Sequence, residues 1–130
     1  MSRDLLGGRE SIVLFVDPDC EACDAFLAVW KVRKHELPAS LNVFGITHED
    51  PDSARDYARN SGFPFPLYCD DRGIFAEEYS IRVTPSAVGT YADGGVAYVG
   101  KHVTPEFTPR KAVELLEQVK RGRSSGPPQR

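Results

Sequence analysis

Hydrophobic positions change their period several times along the chain, and each change marks an element. Ser11-Ile12-Val13-Leu14-Phe15-Val16 is a continuous apolar, β-branched run, which predicts a strand covered on both faces and central in its sheet. Asp17-Pro18-Asp19 then reads as a turn and helix-start signal. Beyond it Ala22, Phe26, Trp30 and Arg33, with Leu27 and Val29, recur at helical spacing to about Leu37, and Pro38 is expected to stop the helix. Residues 41–46 predict a second apolar strand. A helix is expected from Pro51 or Asp52 to Asn60, ending at Gly62. Residues 65–69 form a short strand pattern weakened by Pro66, and residues 74–79 suit a brief helix.

The last third changes character. Residues 86–91 and 96–100 are strand patterns flanking Ala92-Asp93-Gly94-Gly95, and an Asp-Gly pair in that position signals a hairpin with antiparallel strands. Thr108-Pro109 reads as N-cap and first helical residue of a final helix, with Ala112, Leu115, Leu116 and Val119 as its apolar face and closure near Gly122. Strands that alternate with helices imply parallel pairing through right-handed crossovers, and the hairpin adds antiparallel strands. The expected fold class is α/β, a mixed central β-sheet flanked by helices on both faces. Residues 1–10 read as an N-terminal extension, 11–121 as the domain, and 122–130 as a disordered Ser/Gly/Pro tail. No internal repeat is visible.

Composition adds limits to this picture. With 130 residues and 41% hydrophobic, the chain can bury roughly 65–70% of its unfolded surface, so stability demands neither a disulfide framework nor a structural metal. Its three cysteines are free for chemistry. No apolar run approaches the ~20 residues of a membrane span. The start, Met1 to Arg9, lacks the apolar segment of a signal peptide, which leaves two compartments open: the cytoplasm, or an extracytoplasmic site reached by a signal or anchor upstream. Net charge is −3; residues 1–100 carry 9 basic and 16 acidic side chains, and residues 101–130 carry 7 and 3. An acidic domain with a basic end is not the footprint of a nucleic-acid binder.

Cys20-Glu21-Ala22-Cys23 follows the central strand and opens the next helix. Two intervening residues on a helical turn bring the sulfurs within bonding reach, and the first cysteine faces the unsatisfied N–H groups of the helix start, which favour a thiolate. In a strand-to-helix context the pair reads as a redox motif in which Cys20 attacks a disulfide and Cys23 resolves the mixed disulfide. A chance pair or half of a zinc site is the alternative. Zinc needs two more ligands, and Cys69, His35, His48 and His102 show no second paired spacing. Cys69 is expected to pack as an inert cysteine on the short strand, and the aromatic set with Trp30 to fill the core. Gly7-Gly8 and Gly94-Gly95 lack the following helix of a phosphate site.

Residues 15–23, then Val83-Thr84-Pro85-Ser86 before the hairpin and Gly94-Gly95-Val96 in its turn, resemble the thioredoxin superfamily. Residues 41–45, Phe63-Pro64-Phe65-Pro66-Leu67 with Asp70-Asp71-Arg72-Gly73, and the 79–85 approach are similar to its TlpA-like and AhpC/TSA-like redoxin branch, which inserts a strand and helix before the final hairpin. The resemblance covers residues 11–121. It implies a thioredoxin-like fold, with Pro85 as a cis-proline opposite the cysteines and Thr84 offering backbone hydrogen bonds to a docked peptide. It also implies a thiol-disulfide oxidoreductase that takes electrons from an upstream thiol reductant and passes them to a protein disulfide, as a monomer, with no metal or organic cofactor.

Departures from that pattern matter. The tryptophan usual before the first cysteine is Asp19, and the usual buried aspartate six residues before it is Leu14; His48, Glu49 and Asp50 are the near candidates for a proton acceptor. Asp17, Asp19, Glu21 and Asp24 oppose thiolate formation, by a few tenths of a pKa unit each at solvent-like dielectric, while the helix start favours it by roughly 0.2–1.5 units. A modestly stabilised thiolate places the pair toward the reductant end, with an acidic docking rim. Two rivals stay open. A peroxiredoxin-like peroxidase would carry a proline and a threonine or serine where Val13 and Asp17 stand. A redox-inactive binding module would use the Thr84-Pro85 face alone.

Overall fold

The computed structural model describes residues 5–70 and 72–125. Five strands form one sheet: β1 (Ser11–Phe15), β2 (Asn42–Thr47), β3 (Leu67–Cys69), β4 (Ser86–Thr90) and β5 (Val96–Gly100), in the order β3-β2-β1-β4-β5. β1 is the middle strand. It pairs parallel with β2 and antiparallel with β4; β2–β3 is parallel and β4–β5 antiparallel. The helices are α1 (Glu21–Val32), α2 (Pro51–Ser61), α3 (Ile74–Glu78) and α4 (Pro109–Ser125).

The alternation along β1 shows why its whole run is apolar. Ile12, Leu14 and Val16 join one buried cluster with Cys23, Phe26, Leu27 and Trp30 of α1 and Leu116 of α4. Val13 and Phe15 face the other way, into a cluster with Phe75 of α3, Tyr79 and Ile81. A strand with neighbours on both faces has no polar side to show. Trp30 anchors the larger cluster. Its ring packs against Phe26, Phe65 and Phe107, and its Nε1–H donates to the Phe107 carbonyl at 2.7 Å.

Element ends follow local chemistry. Asp50 accepts from the Ser53 N–H at 2.8 Å and caps α2, Pro51 takes the first turn, and Gly62 closes the helix at φ 66°. Thr108 caps α4 through its hydroxyl, which accepts from the Lys111 N–H at 3.1 Å. The hairpin turns at Gly94 (φ 91°), where the Tyr91 N–H donates to the Gly95 carbonyl at 2.8 Å. At Gly89 a Cβ would enter the Tyr98 ring, so the close approach of that ring to the strand requires glycine.

Three boundaries differ from the periodicity. The helix expected to reach Leu37 ends at Val32, and residues 34–36 tighten into a 3-10 turn that delivers Glu36 to the start of α4, where its carboxylate accepts from the Arg110 N–H at 2.8 Å. β3 begins only at Leu67, because Pro66 has no N–H to donate to β2; its carbonyl still accepts from the Gly45 N–H at 2.8 Å. α4 runs past Gly122 to Ser125, so residues 122–125 are helical rather than tail; 126–130 lie outside the described residues. Of the expected N-terminal extension, residues 1–4 also lie outside. Leu6 is 3% exposed in the second cluster, and the Asn42 amide donates to the Leu5 and Leu6 carbonyls at 2.9 and 3.3 Å. The segment before β1 is therefore part of the packed domain.

Candidate active site

Parallel strands β1 and β2 end at the same edge of the sheet, and so α1 and α2 both start there. Antiparallel β4 begins at that edge: Ser86 pairs with Phe15, which brings the preceding Thr84 and Pro85 level with the β1–α1 connection. Residues 64 positions apart in sequence meet for this reason.

Cys20 is the N-cap of α1, in extended conformation, and its sulfur accepts from the Cys23 N–H at 3.1 Å. Cys20 and Cys23 are joined in a disulfide with their Cα atoms 5.1 Å apart. The two sulfurs are not equivalent. Cys20 is half-buried, while Cys23 is fully buried in the larger core cluster. Thr84 and Pro85 are joined by a cis peptide bond. The Thr84 hydroxyl donates to the Cys20 sulfur at 3.6 Å, and the Thr84 carbonyl oxygen lies 3.8 Å from the same sulfur, placed to accept the thiol proton of a reduced Cys20. All four residues expected at the site are thus together. The hydroxyl contact to sulfur is an addition: the sequence pattern points to the Thr84 backbone only.

The surrounding acids divide. One oxygen of Asp17 accepts from the Thr47 hydroxyl and the His48 N–H, each at 2.9 Å, tying the end of β1 to the end of β2. Asp50 is committed to its cap, and the Ser53 N–H holds its carboxyl below the usual range, so it is withdrawn from the set of proton acceptors for Cys23. Leu14, standing where the thioredoxin pattern has an aspartate, is fully buried beside Cys23 in the same cluster. Asp19, at φ 58°, and Asp24 line a notch against α2, together with Glu49, Asp56 and Tyr57. The sequence pattern points to Glu49 as a candidate proton acceptor but to neither Asp56 nor Tyr57. Only the pairing of β1 with β2 sets the two helices side by side.

On the other side of Thr84 a cleft of about 500 Å³ runs over Phe15, Val16, Ile81 and Val83, with Arg82 and His102 at its edge. Val83 is 44% exposed there. Cys69 is a free, half-buried cysteine at the end of β3, registered with Thr47 and remote from the pair in the sheet order. Among the described residues, no group of three or more His, Cys, Asp and Glu could hold a metal ion, and no helix is long and apolar enough to cross a membrane.

A mixed five-stranded sheet with a cysteine pair at a helix N-terminus, facing a cis-proline, defines a thioredoxin-like redoxin, a class of redox proteins. Within that class the chain belongs to the AhpC/TSA family, which its sequence matches over residues 2–106. Among curated proteins no match is found. Solved structures resemble it in fold. StoA from Bacillus subtilis is 19% identical, with a TM-score of 0.65, covering 83% of this chain and 82% of its own. A putative thioredoxin from Neisseria meningitidis is 18% identical, TM-score 0.70, covering 95% and 86%. The bacterioferritin comigratory protein of Xanthomonas campestris, described for its alkyl peroxide reduction activity, is 15% identical, TM-score 0.69, covering 88% and 80%.

Proposed function

We propose that the protein is a thiol-disulfide oxidoreductase that reduces disulfides of protein partners. The observation that carries this reading is the unequal burial of the two bonded sulfurs: Cys20 at the surface end of α1, with a hydroxyl and an N–H directed at it, and Cys23 sealed in the core. In the reduced protein the Cys20 thiolate attacks one sulfur of a substrate disulfide, forming a mixed disulfide and expelling the other sulfur as a thiolate that takes up a proton. Cys23 then loses its proton and attacks the Cys20 sulfur. The second substrate sulfur leaves as a thiol, and Cys20–Cys23 closes. Two electrons and two protons have passed to the substrate, and an upstream dithiol restores them.

Substrate would lie along the Thr84-Pro85 loop, with its apolar flank over Val83 and Ile81. The exposed Val83 and the Thr84 backbone next to the sulfur support this placement. The acids Asp19, Glu21 and Asp24 near the first turn of α1 destabilise the thiolate that the Thr84 hydroxyl and Cys23 N–H stabilise, which favours a reductant over an oxidant.

Peroxide reduction is the rival reading, and the AhpC/TSA membership favours it. The test is the reduction potential of the Cys20/Cys23 couple, with insulin reduction and peroxide turnover measured in parallel. A couple at about −270 mV with insulin reduction is expected; a couple at about −120 mV overturns the direction. Peroxide turnover that survives Cys23→Ser and is lost with Cys20→Ser transfers the assignment to a peroxidase.

A further inference from the structure

The larger core cluster holds few polar side-chain atoms, and among the described residues all but one are accounted for. Trp30 Nε1–H donates to the Phe107 carbonyl at 2.7 Å, and the Tyr98 hydroxyl donates to the Ala112 carbonyl at 3.0 Å. The sulfurs of Cys20 and Cys23 are bonded to each other. The exception is Tyr57 of α2, 8% exposed and in the same cluster as Cys23, whose buried hydroxyl has no hydrogen-bond partner. Thr90, the other described residue with such a hydroxyl, pairs with Ser11 at the far end of β1 from the cysteines.

Its surroundings place this hydroxyl at the cysteine end of the cluster. Burial pushes the phenol up to about 12, and the charges of Asp24, which follows Cys23, and then of Asp17, at the end of β1, push the same way. Asp19, Glu49 and Asp56 line the notch outside, open to solvent. A buried hydroxyl without a partner costs free energy, and a second state of the site that supplies the partner removes that cost. Cys23 has such a second state. In the oxidised pair its sulfur is a weak acceptor; reduction makes it a thiol, and the resolving step makes it a thiolate in an apolar surround that opposes the charge. The Thr84 hydroxyl and the Cys23 N–H both serve Cys20. Leu14, Val16, Phe26 and Leu27 have no hydrogen to donate to Cys23 from their side chains, and Trp30 and Tyr98 are already engaged. The Tyr57 hydroxyl is what the cluster has left.

We infer that the Tyr57 hydroxyl donates a hydrogen bond to the Cys23 sulfur once the disulfide opens, and steadies the Cys23 thiolate through the resolving step. The inference rests on the disulfide-exchange reading above, and it gives Cys23 a polar partner where Leu14 supplies none. In that step the Cys23 sulfur bonds to Cys20, and the bond from Cys20 to the substrate breaks with its electron pair going to the substrate sulfur. That sulfur takes up a proton in place of the one Cys23 gave up, and Tyr57 keeps its own. Because the reduced form gains a bond that the oxidised form lacks, the hydroxyl makes the pair a slightly weaker reductant.

The test compares the full chain with Tyr57→Phe, which removes one oxygen and keeps the ring. In equilibrium with dithiothreitol the variant should shift toward the oxidised form at least about threefold, a couple more reducing by about 15 mV. The Cys23 pKa, followed by its Cβ NMR shift against pH in a Cys20→Ser background, should rise by about one unit. A hydroxyl that only packs affects both redox forms alike and moves neither reading, so an unshifted equilibrium, or a Cys23 pKa that does not rise, overturns the inference. Asp24→Asn separates a direct bond from an effect carried by the neighbouring charge. Tyr57→Phe should give the same threefold shift in that background, and its disappearance there also overturns the inference. Reduction of 2-hydroxyethyl disulfide by the parent is measured alongside. A parent that reduces nothing while both shifts appear keeps the hydrogen bond and loses the redox role; one that reduces the disulfide while neither shift appears loses the hydrogen bond alone.

Discussion

Replacing Thr84 by valine removes one hydroxyl from beside Cys20 and keeps the shape of the side chain. The Thr84 hydroxyl donates to the Cys20 sulfur at 3.6 Å, a long contact at a half-buried position. A hydrogen bond to an ionised group is worth roughly 1.5–3 kcal/mol net, and length and partial solvation reduce this one to about half, ~0.7–1.4 kcal/mol. At about 1.36 kcal/mol per pKa unit, the Cys20 thiol of Thr84→Val should titrate ~0.5–1 unit higher than in the parent. The sign follows from the charge: the hydroxyl favours the thiolate, so its loss raises the pKa. Above that pKa the reduced form is less stable by the same energy, and the couple should become more reducing by about 15–30 mV. Alkylation rate against pH, measured in a Cys23→Ser background so that one thiol reports, gives the pKa directly. Thr84→Ser keeps the donor and should titrate with the parent. An unshifted pKa in Thr84→Val, or an equal shift in both variants, would refute a role for the hydroxyl and leave only packing at that position.

Three further outcomes follow from the core and the helix junctions. Leu6→Ala should destabilise the fold by about 2–4 kcal/mol in urea unfolding, because Leu6 is buried against the second face of the sheet; a loss under about 0.5 kcal/mol would show that the segment before β1 is dispensable. Trp30→Phe leaves the Phe107 carbonyl without its donor and a gap beside Phe26, and should cost about 2–4 kcal/mol with no change in the thiol pKa. Glu36 has its carboxyl held below the ordinary 4.5: desolvation works upward, but the Arg33 hydrogen bond, the Arg110 N–H and both guanidinium charges together outweigh it. A depressed folded pKa gives stability that is complete above the unfolded value and disappears as pH falls through the folded one. The stability advantage of the parent over Glu36→Gln should therefore shrink as pH falls through 4.5 and below, and a constant difference would exclude the ionised carboxylate as its source.

The local physics of the chain was open to reading from sequence wherever a short-range rule decided the outcome. The two-sided apolar run made β1 central, Asp93-Gly94 turned the hairpin, Thr108-Pro109 began the last helix, and the Cys20–Cys23 spacing on a helix start placed two sulfurs within reach. Periodicity failed where distant groups intervened. α1 stops at Val32 because Glu36 is drawn to the start of α4, and Leu6 joins the core because Asn42, on the neighbouring strand, holds the backbone before β1. Asp50, a candidate base by its place in the chain, is committed to capping α2, and the acids near the cysteines include Glu49 and Asp56 from beyond the segment that carries the pair.

What the sequence determined by itself is the chemistry available: a dithiol on a helix N-terminus, a Thr-Pro pair before a hairpin, and an acidic excess near the first. Which groups share space was decided by the tertiary structure. The antiparallel register of β1 with β4 brings the Thr84 hydroxyl to Cys20 across 64 residues, and the parallel pairing of β1 with β2 brings the first turn of α1 beside α2. The Asp19–Asp24–Glu49–Asp56 notch and the unpartnered Tyr57 hydroxyl exist only through that second pairing. Periodicity fixes the direction in which each side chain points within its own element, but long-range strand register fixes which elements stand opposite each other, and the site is built from those oppositions.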